Sequence, residues 1–209
     1  MLGCQYRWAM LDGKPLQQGV TFIEVVIGVA IIGILMSMGM PAFGDWLQNV
    51  QIRTAATSML NGLQLARSES VRRNATVRFS LLDATGTTSW RIGCVTVTAN
   101  CPAQIQSVSS QEGTMNARAG VSTVAPASPV PVTQYSTAIS SGTGLPAGVS
   151  FNSFGRIPTA NVGADVTRID VLSVSNAAAR RLVIVISPGG MVRLCDPALA
   201  IATNPQGCS

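Results

Sequence analysis

The apolar and polar positions divide the chain into stretches of different period. From Val25 to Gly44 no residue is charged, and Val, Ile, Leu, Met, Ala, Gly and Phe fill most positions. At about 1.5 Å rise per residue such a run covers roughly 30 Å as one helix, enough to cross a bilayer core. Glu24 stands just before it, and Gly19 precedes a Val-Thr-Phe-Ile-Glu sequence. After Asp45 the pattern turns amphipathic. Ile52, Ala56, Met59, Leu60, Leu63 and Ala66 recur at helical spacing, with Arg53, Thr57, Asn61, Gln64 and Ser68 on the opposite face. The spacing predicts one helix from about Phe22 to Arg73. Its first half is expected to span a membrane, and its second half offers an apolar stripe for a sheet to cover. Gly28, Gly33, Gly39 and Pro41 lower the helix strength of the first half, a composition common in membrane helices.

Beyond the helix the period changes from 3.6 to 2. Val77, Phe79 and Leu81 alternate with Thr76, Arg78 and Ser80, which predicts a half-buried strand. Turn residues fill Asp83 to Ser89, and Trp90 to Val97 starts a second strand. From Ala119 to Gly155 no residue is charged, and APASPVPV occupies 125–132. This neutral stretch is expected to be a flexible surface loop or an irregular β excursion. Val149 to Arg156 resumes as strand then turn. Within 166–174, Ile169 and Val171 alternate with Arg168 and Asp170. Arg181 to Ile186 reads as an apolar strand, Pro188-Gly189-Gly190 as a turn, and Met191 to Cys195 as the returning arm of a hairpin. The predicted class is α+β, a long N-terminal helix packed on a C-terminal antiparallel β-sheet domain.

Composition narrows the chemistry. The chain has 209 residues and a formal net charge of +5, and its basic residues, nearly all arginine, are spread rather than clustered. That balance permits an acidic partner without demanding one. There is no histidine, which removes Ser-His-Asp and Cys-His catalysis and His-based zinc sites. The carboxylates sit singly in sequence. These features argue against an enzyme, and they imply no catalytic residue, metal or cofactor.

The Gly19–Gly44 constellation resembles the type IV prepilin signal. That signal is a glycine at the cleavage site, a new amino terminus, a glutamate at the fifth mature position and then an apolar helix. The resemblance implies that a prepilin peptidase cuts between Gly19 and Val20 and that the new terminus of Val20 is methylated. This family usually carries Phe where Val20 stands. It implies further that Glu24 pairs with the terminal amine of a neighbouring subunit during assembly. Residues 1–19 would then be a cleaved leader, 20–73 the transmembrane and assembly helix, and 74–209 a periplasmic β-rich domain with a neutral loop at about 119–150. The helix end LQLARSESVRRNATVRFSL, the Trp90-x-x-Gly93 strand, the turn ending in Gly155-Arg156 and the last hairpin are similar to the GspH/FimT-type minor pilins and pseudopilins. Membership there implies a pilin-like fold. It also implies a structural subunit that primes or caps a type IV pilus or a type II secretion pseudopilus, with other pilins or pseudopilins and the inner membrane as partners.

Some pilins of FimT type bind DNA through a Gly-Arg-x-Arg motif. Here Gly190-Met191-Val192-Arg193 keeps only its second arginine, so Arg193 with nearby Arg180 and Arg181 would support weak DNA binding at most. The leader carries Arg7 and Lys14, which agrees with a cytoplasmic start and an outward domain. Cys4 would leave with the leader. The remaining Cys94, Cys101, Cys195 and Cys208 form an even set in an oxidising compartment, where disulfides are the default. Four cysteines allow three connectivities, of which the local pairs Cys94–Cys101 and Cys195–Cys208 are preferred. Neither pair has the close C-x-x-C spacing of a zinc site. Glu69 with Arg72 and Arg73 is expected to form ion pairs on a solvated helix face.

Overall fold

The computed structural model describes residues 19–127, 130–131 and 133–209, and the side chains of 38–42 lie outside that description. The expected leader, with Arg7, Lys14 and Cys4, therefore falls outside the described residues except for Gly19. A single helix, α1, spans Phe22–Arg73, as the spacing predicts. Its start is set by Thr21, whose hydroxyl accepts the Glu24 amide at 3.4 Å, one arm of a Thr-x-x-Glu capping box. Its end is a Schellman turn. Asn74 takes φ +49°, the Asn74 amide donates to the Val71 carbonyl, and the Ala75 amide donates to that of Ser70.

Two compact units divide the chain, Met1–Ala42 and Phe43–Ser209. In the first, the described helical residues are apolar on every side and exposed, Phe22 at 86%. Among the described residues no helix is long and apolar enough to cross a membrane. The expected run Val25–Gly44 includes the five residues whose side chains are not described.

The second unit contains the rest of α1 and eight strands. The antiparallel strands form two four-stranded sheets rather than one continuous sheet. β1 (Val77–Leu81), β2 (Trp90–Cys94), β3 (Gln106–Val108) and β5 (Ala147–Phe151) make one sheet in the order β3-β2-β1-β5. β4 (Ala117–Ser122), β6 (Arg168–Ser173), β7 (Leu182–Ile186) and β8 (Val192–Cys195) make the other in the order β4-β6-β7-β8. The alternation at Val77, Phe79 and Leu81 is realised as buried positions on β1. The second strand stops at Cys94 instead of reaching Val97. The last hairpin forms with the register Ile186 opposite Val192.

The stripe of α1 closes both sheets into one core. Ile52, Ala56, Met59, Leu63 and Ala66 are 0–1% exposed, joined by Ala55, while Leu60 sits half-buried at the margin. They cluster with Phe79, Ile92 and Phe151 from the first sheet and Ile169, Val171, Ile184 and Ile186 from the second. The predicted polar face, Arg53, Thr57, Asn61, Gln64 and Ser68, is exposed. Trp90 packs at the edge of this core, where its indole N–H donates to Ser58 Oγ at 3.0 Å, so the buried ring keeps a partner for its polar atom.

The neutral stretch is more regular than a flexible loop. It holds most of β4 and all of β5, one strand in each sheet. Between them, residues 139–145 run along β4 (Val121 amide to Thr143 carbonyl, 2.9 Å; Gly142 amide to Ala119 carbonyl, 2.9 Å). They cover a sheet edge that would otherwise be left bare.

Candidate assembly site

The N-terminal site is built on the first turn of α1. Val20 is exposed, and Glu24 is exposed in the first helical turn, where the unpaired amides and the helix dipole favour a negative charge. Behind Glu24, Val25, Val26, Ile27, Val29, Ile31, Ile32, Ile34 and Leu35 are all exposed. A helix apolar all round belongs in lipid or in the core of an assembly. A carboxylate exposed at the mouth of such a helix is placed to accept a cationic partner.

At the other end of α1 the family-like motifs converge. Arg67 donates from Nε to the Gly155 carbonyl at 3.1 Å. Gly155 (φ +70°) and Gly190 (φ +81°) both need the left-handed region that favours glycine. A Cβ on Gly190 would stand 1.9 Å from the Gly155 oxygen, so the two turns meet backbone to backbone. The tip of the first turn is pinned by Asn152, whose Oδ1 accepts the Phe154 and Arg156 amides at 3.0 and 3.1 Å.

Glu69 pairs with Arg72 at 2.6 Å and Arg73 at 2.7 Å, as the i+3 and i+4 spacing predicts. Its side chain is only 11% exposed, so this is a sheltered carboxylate rather than one on a solvated face. The hydrogen bond from Arg72, with that from Arg73, holds its pKa below the ordinary value despite burial. Arg73 also donates to the Asn100 carbonyl, tying the helix end to the loop closed by the first disulfide.

Both local bridges are formed, Cys94–Cys101 and Cys195–Cys208. The three arginines considered for DNA each have a different internal acceptor. Arg180 pairs with buried Asp196 and is 54% exposed. Arg181 pairs with Asp170 and is 15% exposed. Arg193 donates to the Cys208 carbonyl at 3.0 Å. Among the described residues no cluster of side chains suited to a metal ion is present.

The sequence pattern misplaced Asp170. Alternation with Ile169 and Val171 puts it on the outer face of β6, yet it is 0% exposed. Arg168 Nε approaches it at 2.6 Å, Arg181 pairs with its other oxygen, and the Ile139 amide donates to it at 3.0 Å. A buried carboxylate survives only when its charge is balanced and its lone pairs are used. The two arginines then turn to the neutral stretch. Arg168 donates to the Gln134 and Thr137 carbonyls at 3.0 and 2.8 Å, and Arg181 to those of Tyr135 and Ser136 at 2.6 and 3.2 Å. Their shared carboxylate and the carbonyls they reach lie far apart in sequence, so no local signal announced them.

The family model described as Type II transport protein GspH matches residues 55–190. The model described as Prokaryotic N-terminal methylation motif matches residues 14–40. The Type IV major fimbrial protein FimA of Dichelobacter nodosus (strain VCS1703A) is 37% identical over 59 residues, 28% of this chain and 36% of that protein. A Fimbrial protein of Dichelobacter nodosus is 39% identical over 59 residues, again 28% and 36% of the two chains. The chain thus spans only about a third of the length of these curated relatives. The crystal structure of the type IV minor pilin FimU of Pseudomonas aeruginosa (strain PAO1) aligns with a TM-score of 0.46 at 16% identity, over 78% of this chain and 99% of that one. The first match runs from the amphipathic part of α1 through the turn of the last hairpin, well over half of the sequence, and on that extent the chain belongs to the Type II transport protein GspH family.

Proposed function

We propose that this chain is a minor pilin or pseudopilin, a structural subunit that primes or caps a helical filament of a type IV pilus or a type II secretion pseudopilus. The observation that carries the proposal is the first half of α1, apolar and exposed on every side with one carboxylate, Glu24, in its first turn. The methylation-motif match over 14–40 and the fimbrial relatives support the same reading.

In this account a prepilin peptidase cuts between Gly19 and Val20, and the amine of Val20 is methylated. The helix first anchors the subunit in the inner membrane with residues 74–209 on the periplasmic side. A carboxylate at a membrane edge is costly unless paired or hydrated, and Glu24 gains its partner when the amine of a neighbouring Val20 reaches it. The filament then takes over from lipid as the environment of the apolar helix. The subunit's partners are the peptidase and the other pilins or pseudopilins of the filament.

Two experiments test the proposal. Glu24→Ala should leave cleavage intact and abolish incorporation into the filament, whereas normal co-assembly of the variant refutes the pairing role. Deleting the gene and scoring twitching motility, exoprotein secretion and DNA uptake side by side separates the two machines. Loss of DNA uptake alone would favour a DNA-binding pilin instead.

A further inference from the structure

We propose that the Cys195–Cys208 disulfide is the floor of a redox-sensitive latch, and that it fixes the surface formed by residues 133–140 on the second sheet. The inference concerns the chain by itself and does not rest on the filament reading.

Tyr135 is the residue through which the latch acts. Among the described residues of 133–140 it alone is buried, at 3% exposure, while Thr133, Ser136, Thr137, Ala138 and Ser140 are exposed. Its ring does not join the main core. It packs into a small separate cluster of Val183, Cys195 and Cys208, with Val185 at the margin. Two of its three fully buried neighbours are therefore the half-cystines of one bridge. Above the ring lies Arg168, its guanidinium carbon 5.1 Å from the ring centroid. Burial, set against the nearby arginine charges, pushes the Tyr135 hydroxyl above its ordinary pKa, as expected for a phenol sealed in this slot.

The segment is thus held from two sides. From outside, Arg168 and Arg181 bind four of its carbonyls while Asp170 pairs with both and accepts the Ile139 amide. From inside, the disulfide supplies the apolar contact that keeps Tyr135 down. The tail that carries Cys208 is also held by Arg193 at the Cys208 carbonyl, by the Asp196 amide at Gln206, by the Ile201 amide at Ser209 and by a bridge between Asp196 and Gly207. Opening the bridge removes the covalent tie that seats Cys208 against the ring, and Tyr135 then loses one wall of its slot. Tyr135 is the one side chain that the described residues of 133–140 bury, so without it the segment is held only through its backbone by Arg168, Arg181 and Asp170, and segments with few buried apolar contacts open at lower free energy.

The chemical step is thiol–disulfide exchange with a dithiol reductant. Two electrons and two protons pass to the sulfurs of Cys195 and Cys208, the S–S bond breaks, and the reductant leaves as its own disulfide. The ordered 133–140 surface therefore belongs to the oxidised chain, the form it takes in an oxidising compartment.

The test uses the full chain in detergent micelles, followed by hydrogen exchange and limited proteolysis with and without a dithiol. Reduction should raise exchange and cleavage within 133–140 by about tenfold or more, while β6 and β7 keep their protection. Tyr135→Ala, with both disulfides intact, should reproduce that release without any reductant. Cys94→Ser with Cys101→Ser should leave 133–140 protected in the oxidised chain. Unchanged protection of 133–140 on reduction overturns the latch. So does simultaneous loss of protection in β6 and β7, which would mean the bridge supports the whole sheet.

Discussion

The two halves of α1 belong to one helix, and their apolar side chains meet opposite fates. In the second half, Ile52, Met59 and Leu63 are 0–1% exposed against two sheets of the same chain. In the first half, Phe22, Val29, Ile34 and Leu35 stand at 61–86% exposure. At about 25 cal/mol per Å² of apolar surface, leaving such a run in water is strongly unfavourable. The difference shows where the molecule ends as a self-sufficient object. The globular unit satisfies itself: among the described residues every buried side-chain nitrogen or oxygen has a partner. The first half of the helix is finished only by something else, lipid or neighbouring helices.

The hardest blow to the self-sufficient side is Asp170→Asn. Arg168 and Arg181 would share a neutral acceptor in place of a buried carboxylate. Breaking such an arrangement from one side costs about 3–5 kcal/mol, measurable by denaturant unfolding in micelles. Leu63→Ala should cost about 2–5 kcal/mol in the same assay, because Leu63 is fully buried. Ile31→Ala, the same kind of truncation in the exposed half, should leave the unfolding midpoint of the globular unit unchanged. Equal losses from the two substitutions would erase the contrast. Gly190→Ala is expected to destabilise by about 1–3 kcal/mol, since a Cβ meets the Gly155 oxygen at a left-handed φ. The smallest effect is on pH dependence. Because the Glu69 carboxyl is held below its ordinary value by Arg72 and Arg73, its contribution is complete at neutral pH and is lost as the pH falls through its folded pKa, below 4.5. Thermal unfolding followed between about pH 5 and pH 3 should fall less steeply in Glu69→Gln.

The parts of this fold written in local patterns were legible. Helical spacing located the stripe from Ile52 to Ala66, and alternation located β1. Turn residues located the last hairpin, and the even set of cysteines with short separations gave both bridges. Each of these signals lies within one turn, one strand or one loop. What stayed hidden depends on partners distant in sequence. The strand ARAGVS carries mostly small residues with little β preference of their own, so β4 forms because β6 pairs with it. Asp170 looked like a solvent-facing residue because its balancing charge comes from the next strand as well as from Arg168. Tyr135 drew no notice inside a neutral stretch, and its slot is made by residues 183, 195 and 208. The Glu69 pairs were legible from spacing, but not their shelter.

We propose above all that the exposed half of α1 is an assembly helix released by cleavage before Val20. The most direct measurement is mass spectrometry of the amino terminus of this chain in sheared filament and membrane fractions, for the native sequence and for Glu24→Ala. Both forms should begin at an N-methylated Val20, with the native chain in the filament fraction and the variant confined to membranes. A filament-borne chain that still carries residues 1–19, or a Glu24→Ala chain present in filaments at the native level, would contradict it.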